Sequence, residues 1–207
     1  MRLPCRAKAW VAEFLYLCHM KLIDFLTQEL QQNRSLAEKA DQLFVSRKVK
    51  KGTHLVTDGF NTDRVYFFEQ GIAREFTNVD GNEVTNYFHL ENTFYIPLNY
   101  LFFGDDLTTS LEMEEDGVVR IAPYYDIEQL MADNLSLQRF AFQMYSGTIR
   151  QMFAISHSLQ HRSAAERYEA LLREQPDIVL RVPLGHIASY LGITQQRLSV
   201  IRKEVKL

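Results

Sequence analysis

Gln195, Gln196 and Ser199 fall within five residues of one another, and Arg197, Arg202 and Lys203 are interleaved with them or follow directly. A glutamine amide presents a donor and an acceptor side by side, the pattern that pairs with the adenine edge in the DNA major groove. Guanidinium and ammonium groups grip phosphates and set register without reading sequence. Thr194 precedes the set and is suited to capping a helix, whose free N–H groups also attract a phosphate. Val200 offers a methyl contact to thymine and no pairing with guanine. Thr194, Gln195, Gln196, Arg197, Ser199, Val200, Arg202 and Lys203 thus form a candidate DNA-binding surface.

Such a surface needs two helices crossing over a small core. Ile187, Leu191, Ile193, Leu198 and Ile201 are spaced to make that core, and Ala188 is small where the second helix must come close. Gly192 stands where the tight turn calls for a positive φ. The charge agrees with this plan. From Arg181 to the end, five basic residues face one acidic residue, a net +4, whereas the whole chain carries −3, so the remainder carries −7. A basic reader on an acidic body is the electrostatic plan of a sensor with a DNA-binding module.

Upstream, Leu22, Phe25, Leu26 and Leu30 predict an amphipathic helix over 21–33, and Ser35 to Glu38 reads as a capping box opening a second. From Phe44 to Ile121 the period changes to short β-favouring runs, 53–57, 64–68, 72–77 and 84–90, punctuated by Asp58-Gly59, Gln70-Gly71 and Asp80-Gly81-Asn82. Closely spaced strands without intervening helices predict an antiparallel jelly roll. A short helix is expected from Tyr125, then a long one from about Leu135 to Gln160 with Phe140, Met144, Met152, Ile155 and Leu159 as its apolar stripe. A helix of that length leaves part of its stripe unpartnered within one chain, which points to a two-helix dimer seam. Ser163 to Glu166 is a second capping box, and the helix it starts must stop at or before Pro176. The expected division is an N-terminal extension over 1–20, a sensor jelly roll with flanking helices over 21–133, a dimerisation helix over 134–161 and a helix-turn-helix domain over 162–207.

The 207 residues are 46% hydrophobic, enough for a proper core. Cys5 and Cys18 cannot build a disulfide framework or a full thiolate set for a metal, in keeping with a reducing cytoplasm. The apolar stretch from Ala9 to Cys18 is interrupted by Glu13, has no small-residue cleavage site and places Leu17 before Cys18, so it reads neither as a secretion signal nor as a lipid-attachment site. Met20 offers an alternative start. No segment is apolar enough to span a membrane. No catalytic residue set and no cofactor motif stands out.

The segment RVPLGHIASYLGITQQRLSVIRK, residues 181–203, resembles the C-terminal module of the Crp/Fnr family of transcription regulators, particularly its short-tailed members. The run from Lys50-Lys51-Gly52 through Val65-Tyr66-Phe67-Phe68 and Gln70-Gly71-Ile72-Ala73-Arg74 to Asp80-Gly81 resembles that family's cyclic-nucleotide-binding-type jelly roll. The resemblance implies an α+β fold: an antiparallel jelly roll, a long dimerisation helix and a C-terminal helical, winged-helix-like helix-turn-helix domain. It further implies a homodimer on a pseudo-palindromic DNA site, an effector pocket in the barrel and contact with RNA polymerase. Two features depart from the family. Val200 stands where an arginine commonly follows the serine, and the chain ends at Leu207 without room for a β wing.

Relatives that bind cyclic nucleotides use a glycine-glutamate pair and then an arginine beside a serine or threonine. The matching stretch here, 94–110, lacks the pair, and no arginine or lysine lies between Arg74 and Arg120, while Asp105 and Asp106 sit where the cation belongs. Burying a phosphate beside carboxylates without a cation is costly. The sequence therefore predicts a sensor that does not bind cyclic nucleotides. Phe94, Tyr95, Tyr100, Thr108, Thr109 and Ser110, with Phe102 and Phe103, remain as candidate lining for an apolar or aromatic effector, or as filling of the barrel interior. The alternatives are a cyclic-nucleotide-responsive regulator, or a metal-dependent β-barrel enzyme; the latter has only His54 and His89 on its strands. His157 and His161, four apart, lack a third ligand.

Overall fold

The computed structural model describes residues 20–57, 60–103 and 109–205. Two helices, α1 (Leu22–Glu29) and α2 (Arg34–Gln42), precede strands β1 (Val45–Val49), β2 (His54–Val56), β3 (Arg64–Gln70), β4 (Ala73–Val79), β5 (Asn82–His89) and β6 (Phe94–Tyr95). A short helix α3 (Leu98–Phe103) is followed by β7 (Thr109–Met113), β8 (Gly117–Pro123), α4 (Tyr124–Ala132) and the 27-residue helix α5 (Leu135–His161). Four helices complete the described residues: α6 (Ala164–Glu174), α7 (Pro176–Arg181), α8 (Leu184–Tyr190) and α9 (Gln195–Glu204).

The strands form two four-stranded sheets, β1-β8-β3-β6 and β2-β7-β4-β5, with every pairing antiparallel. This is the expected jelly roll. β3 shows why its sequence is a continuous apolar run: Tyr66 and Phe68 point into the core shared by both sheets, with Leu111, Met113 and Val119, while Val65 and Phe67 face the helices. A strand buried on both faces has no polar side to alternate with. On the helical side Phe67 joins Phe25, Phe94 and Phe140, with ring centroids 4.8 Å apart for Phe67–Phe94 and 6.1 Å for Phe94–Phe140. This cluster seats the first turns of α5 on the barrel.

One expected cap is corrected. Asn33, not Ser35, caps α2: its Oδ1 accepts from Leu36 N at 3.2 Å, and the helix begins at Arg34, before the serine. Glu38 pairs instead with Arg34, one helical turn back. The second capping box is present, Ser163 accepting from Glu166 N and Glu166 accepting from Ser163 N. Pro176 starts α7 at a position where its missing N–H costs nothing. The N-terminal segment with Cys5, Cys18 and Glu13, and the turn Asp58-Gly59, lie outside the described residues.

Phe67→Ala, which empties a fully buried ring site packed against Phe25 and Phe94, is expected to cost about 3–5 kcal/mol. Urea unfolding with an unchanged m-value would register it as a lowered midpoint.

Candidate DNA-binding face and sensor cavity

Helices α8 and α9 cross over a core of Ile187, Ala188, Leu191, Leu198 and Ile201, all buried, with Ile193 partly so. Gly192 has φ +67°, and a Cβ there would also crowd Leu159 at 3.3 Å. Thr194 Oγ1 accepts from Arg197 N at 3.2 Å and so caps α9. Gln195, Gln196, Arg197, Val200, Arg202 and Lys203 are exposed, and Ser199 is half-buried, its hydroxyl donating back to Gln195 O. The predicted reading residues thus share the outward side of one helix.

Arg167 belongs to no sequence motif, yet it holds the turn. Its guanidinium donates to Leu191 O at 3.1 and 2.8 Å and to Arg162 O at 2.6 Å, joining the carbonyl end of α8 to the end of α5. The domain is also docked on its own barrel. Thr85 N donates to Ser189 Oγ at 2.9 Å, the Phe88 and Tyr190 rings lie 5.4 Å apart, and Ile72 and Phe88 belong to the same core as α8 and α9. Arg181 forks between Glu91 and Glu115. His186 Nδ1 meets Glu114 Oε1 at 2.6 Å, and Glu114 faces the buried Arg74 at 3.3 Å. Arg181, counted in the sequence with the basic reader, is therefore committed to the barrel. Burial pushes the Glu91 carboxyl up, but hydrogen bonds from Arg181 and the backbone outweigh this and hold it below its ordinary 4.5.

A cavity of about 340 Å³ opens between β4, β5, the β6–α3 segment and the middle of α5. Phe94, Tyr95 and Thr109 of the predicted set line it; Tyr100 and Ser110 do not, and Thr108 lies outside the described residues. Tyr100 and Phe102 are exposed on α3, and Ser110 pairs with Phe76 in the sheet. The polar lining that the sequence did not reveal comes from Glu75, Asn86, His89, Asn99, Thr148 and Gln151. The pairing of β4 with β5 shifts between Glu75↔Tyr87 and Phe76↔Thr85, leaving Asn86 as an extra residue, so that neighbours Asn86 and Tyr87 both reach the cavity. Among the described residues no arginine or lysine lines it. The two flanking cations are engaged elsewhere: Arg74 pairs with Glu83, Glu112 and Glu114, and Arg120 with Asp41 and Glu69. His54 and His89 are not gathered: His54 packs on Phe76, whereas His89 bonds Glu75. The rings of His157 and His161 lie 4.4 Å apart at the end of α5.

If Arg181 pins the reader, Arg181→Ala should speed tryptic cleavage after Arg162 at the α5–α6 junction while leaving the barrel intact. Because Glu91 has a depressed folded-state pKa, the docking it supports is complete above pH 4.5 and fades as the pH falls below it. In the wild type, domain contact followed by hydrogen exchange at Thr85 N should weaken along that acid limb.

No protein-family model and no curated protein sequence matches the chain. Solved structures do. FixK2 from Bradyrhizobium japonicum superposes with a TM-score of 0.69 at 20% identity, covering 78% of this chain and 83% of its own. A putative Crp/Fnr transcriptional regulator from Eubacterium rectale gives 0.67 at 17% identity, with 83% and 82% covered. The c-di-GMP responsive global regulator CLP of Xanthomonas campestris gives 0.67 at 16%, with 83% and 91% covered. Jelly roll, long helix and helix-turn-helix follow one another as in these proteins, and the chain has the fold of the Crp/Fnr transcription regulators.

Proposed function

We propose that this protein is a homodimeric, sequence-specific DNA-binding transcription regulator whose sensor does not bind cyclic nucleotides. The observation that carries the reading is the capped helix α9, held by its core at Leu198 and Ile201 while its amide and cationic side chains stand in solvent. Gln195, Gln196 and Val200 are the base-reading candidates, and Arg197, Arg202 and Lys203 take phosphates. Contact with RNA polymerase is a further expectation of the same reading. Among the described residues no helix is long and apolar enough to cross a membrane.

The dimer is argued from α5. Leu135, Phe142 and Ile149 recur every seven residues, as do Tyr145, Met152 and Leu159, the repeat of a two-helix seam. Phe142 is 70% exposed, Met152 60% and Phe153 73%. Aromatic and apolar side chains in such a row are the mark of a surface that is covered in the assembly. Met152 also lines the sensor cavity, so an occupant of the cavity would press on the seam. The argument against a cyclic nucleotide is electrostatic: its phosphate would enter a cavity where Glu75 repels it, with no arginine or lysine among the described wall residues to compensate.

Two experiments test this. Phe142→Asp combined with Phe153→Asp should turn the sedimenting species from dimer to monomer and lower affinity for a full site by about a hundredfold or more, since the second half-site contact is lost; an undiminished dimer would exclude α5 as the seam. In selection from random DNA, the wild type should recover a pseudo-palindrome with half-sites about 34 Å or a multiple apart. Arg202→Ala should weaken all sequences alike and flatten the salt dependence by about one ion per contact, whereas Gln196→Ala should relax preference at one base position at a cost of about 1–3 kcal/mol.

A further inference from the structure

The chemistry of the cavity wall narrows what can occupy it. Glu75 Oε2 lies 3.0 Å from His89 Nε2, and the histidine is itself 6% exposed, stacked on Phe68 at 5.6 Å. His89 Nδ1 is buried with no hydrogen-bond partner. An imidazolium would strand a charged N–H donor there, whereas a neutral ring with its proton on Nε2 donates to Glu75 and leaves only an acceptor unmet. The geometry therefore accommodates a neutral His89 and an ionised Glu75, so the pair carries a net negative charge. One hydrogen bond from His89 does not exhaust a carboxylate, which has lone pairs for further donors. The rings of Tyr87, Phe94 and Tyr95 border the same space, and a ring face attracts a cation. Asn86, Asn99 and Thr148 supply neutral hydrogen-bonding groups around it.

We infer that the cavity is a receptor for a small organic cation, an amine carried on an aromatic or apolar body, with Glu75 holding the ammonium and Tyr87, Phe94 and Tyr95 holding the body. The inference rests on the reading of the cavity as the effector site of the sensor. A volume of about 340 Å³ is at the lower end of small-molecule pockets. Bound there, the ligand would meet Met144, Thr148 and Met152 on α5. It would also touch the strand whose Thr85 and Phe88 carry the reader.

Tryptamine, indole-3-ethanol and indole-3-acetate share one body and differ in charge, and cyclic AMP supplies the phosphate. Calorimetric titration of the full chain with each should show tryptamine bound about tenfold or more tighter than indole-3-acetate, with cyclic AMP giving no saturable heat. Glu75→Gln should remove that preference while keeping affinity for indole-3-ethanol. Gln151→Arg, at an exposed point of the cavity wall, keeps the Glu75–His89 pair and should move the preference toward indole-3-acetate. Equal or tighter binding of the acetate or of cyclic AMP, an unchanged preference in Glu75→Gln, or no binding by any probe would overturn the inference. DNA binding measured on the same wild-type preparation separates the two readings: failure there strikes the regulator, whereas failure of the titrations alone strikes only the ligand class.

Discussion

The packing of four phenylalanines between barrel and helix is the constraint on which the remaining geometry depends. Phe25, Phe67, Phe94 and Phe140 come from α1, β3, the start of β6 and α5, and their rings meet at tilted and edge-on angles with centroids from 4.8 to 6.4 Å apart. Such contacts combine large apolar burial with orientation. Once α5 is held at its first turns, its 27 residues set where the reader begins, because α6 follows after Arg162 and the capping serine. Phe94 also borders the cavity, so the cluster that seats the helix forms part of the cavity wall.

Charge is divided between two tasks. The carboxylates Glu91, Glu114 and Glu115 on the barrel meet Arg181 and His186 on the reader, and the buried Arg74 balances Glu114 from the other side. An exposed pair of this kind would contribute little, but Arg74 and Glu114 are 2% and 3% exposed, and removing one partner would leave the other charge uncompensated. The cations of α9 take no part in this docking and remain on the outward face. The acidic body thus binds its basic domain through α7 and α8 and leaves the exposed face of α9 clear.

The helix-turn-helix was legible because its signals are local. Gly192, Thr194 and the apolar positions from Ile187 to Ile201 lie within fifteen residues, and each does in the fold what its spacing predicts. The jelly roll was legible through its turns and period, apart from strand ends. The cap at Asn33 was not legible because two cap-forming side chains stand two residues apart, and a pattern cannot say which of them the preceding turn leaves outside the helix. The cavity was legible only in part. Its walls run from Phe25 to Ile155, and the bulge at Asn86 reverses which residues of β5 face inward. Arg181 misled for a related reason: in sequence it adjoins the reader, but in space it faces two glutamates ninety and sixty-six positions away.

For the proposed regulator, the docked arrangement also restricts how control can be exerted. With α8 against β5 and α9 still open to solvent, the outward face of α9 is not masked by the barrel. Under the proposed dimer, what an occupant of the cavity can alter is the relation between two readers. It has two routes, through Met152 on the seam and through β5, whose Tyr87 and His89 touch the cavity while Thr85 and Phe88 touch the reader. A ligand shifts such an equilibrium only by its differential affinity for the two spacings. Side chains that belong to both the cavity and one of those contacts, Met152 above all, are where that difference must arise.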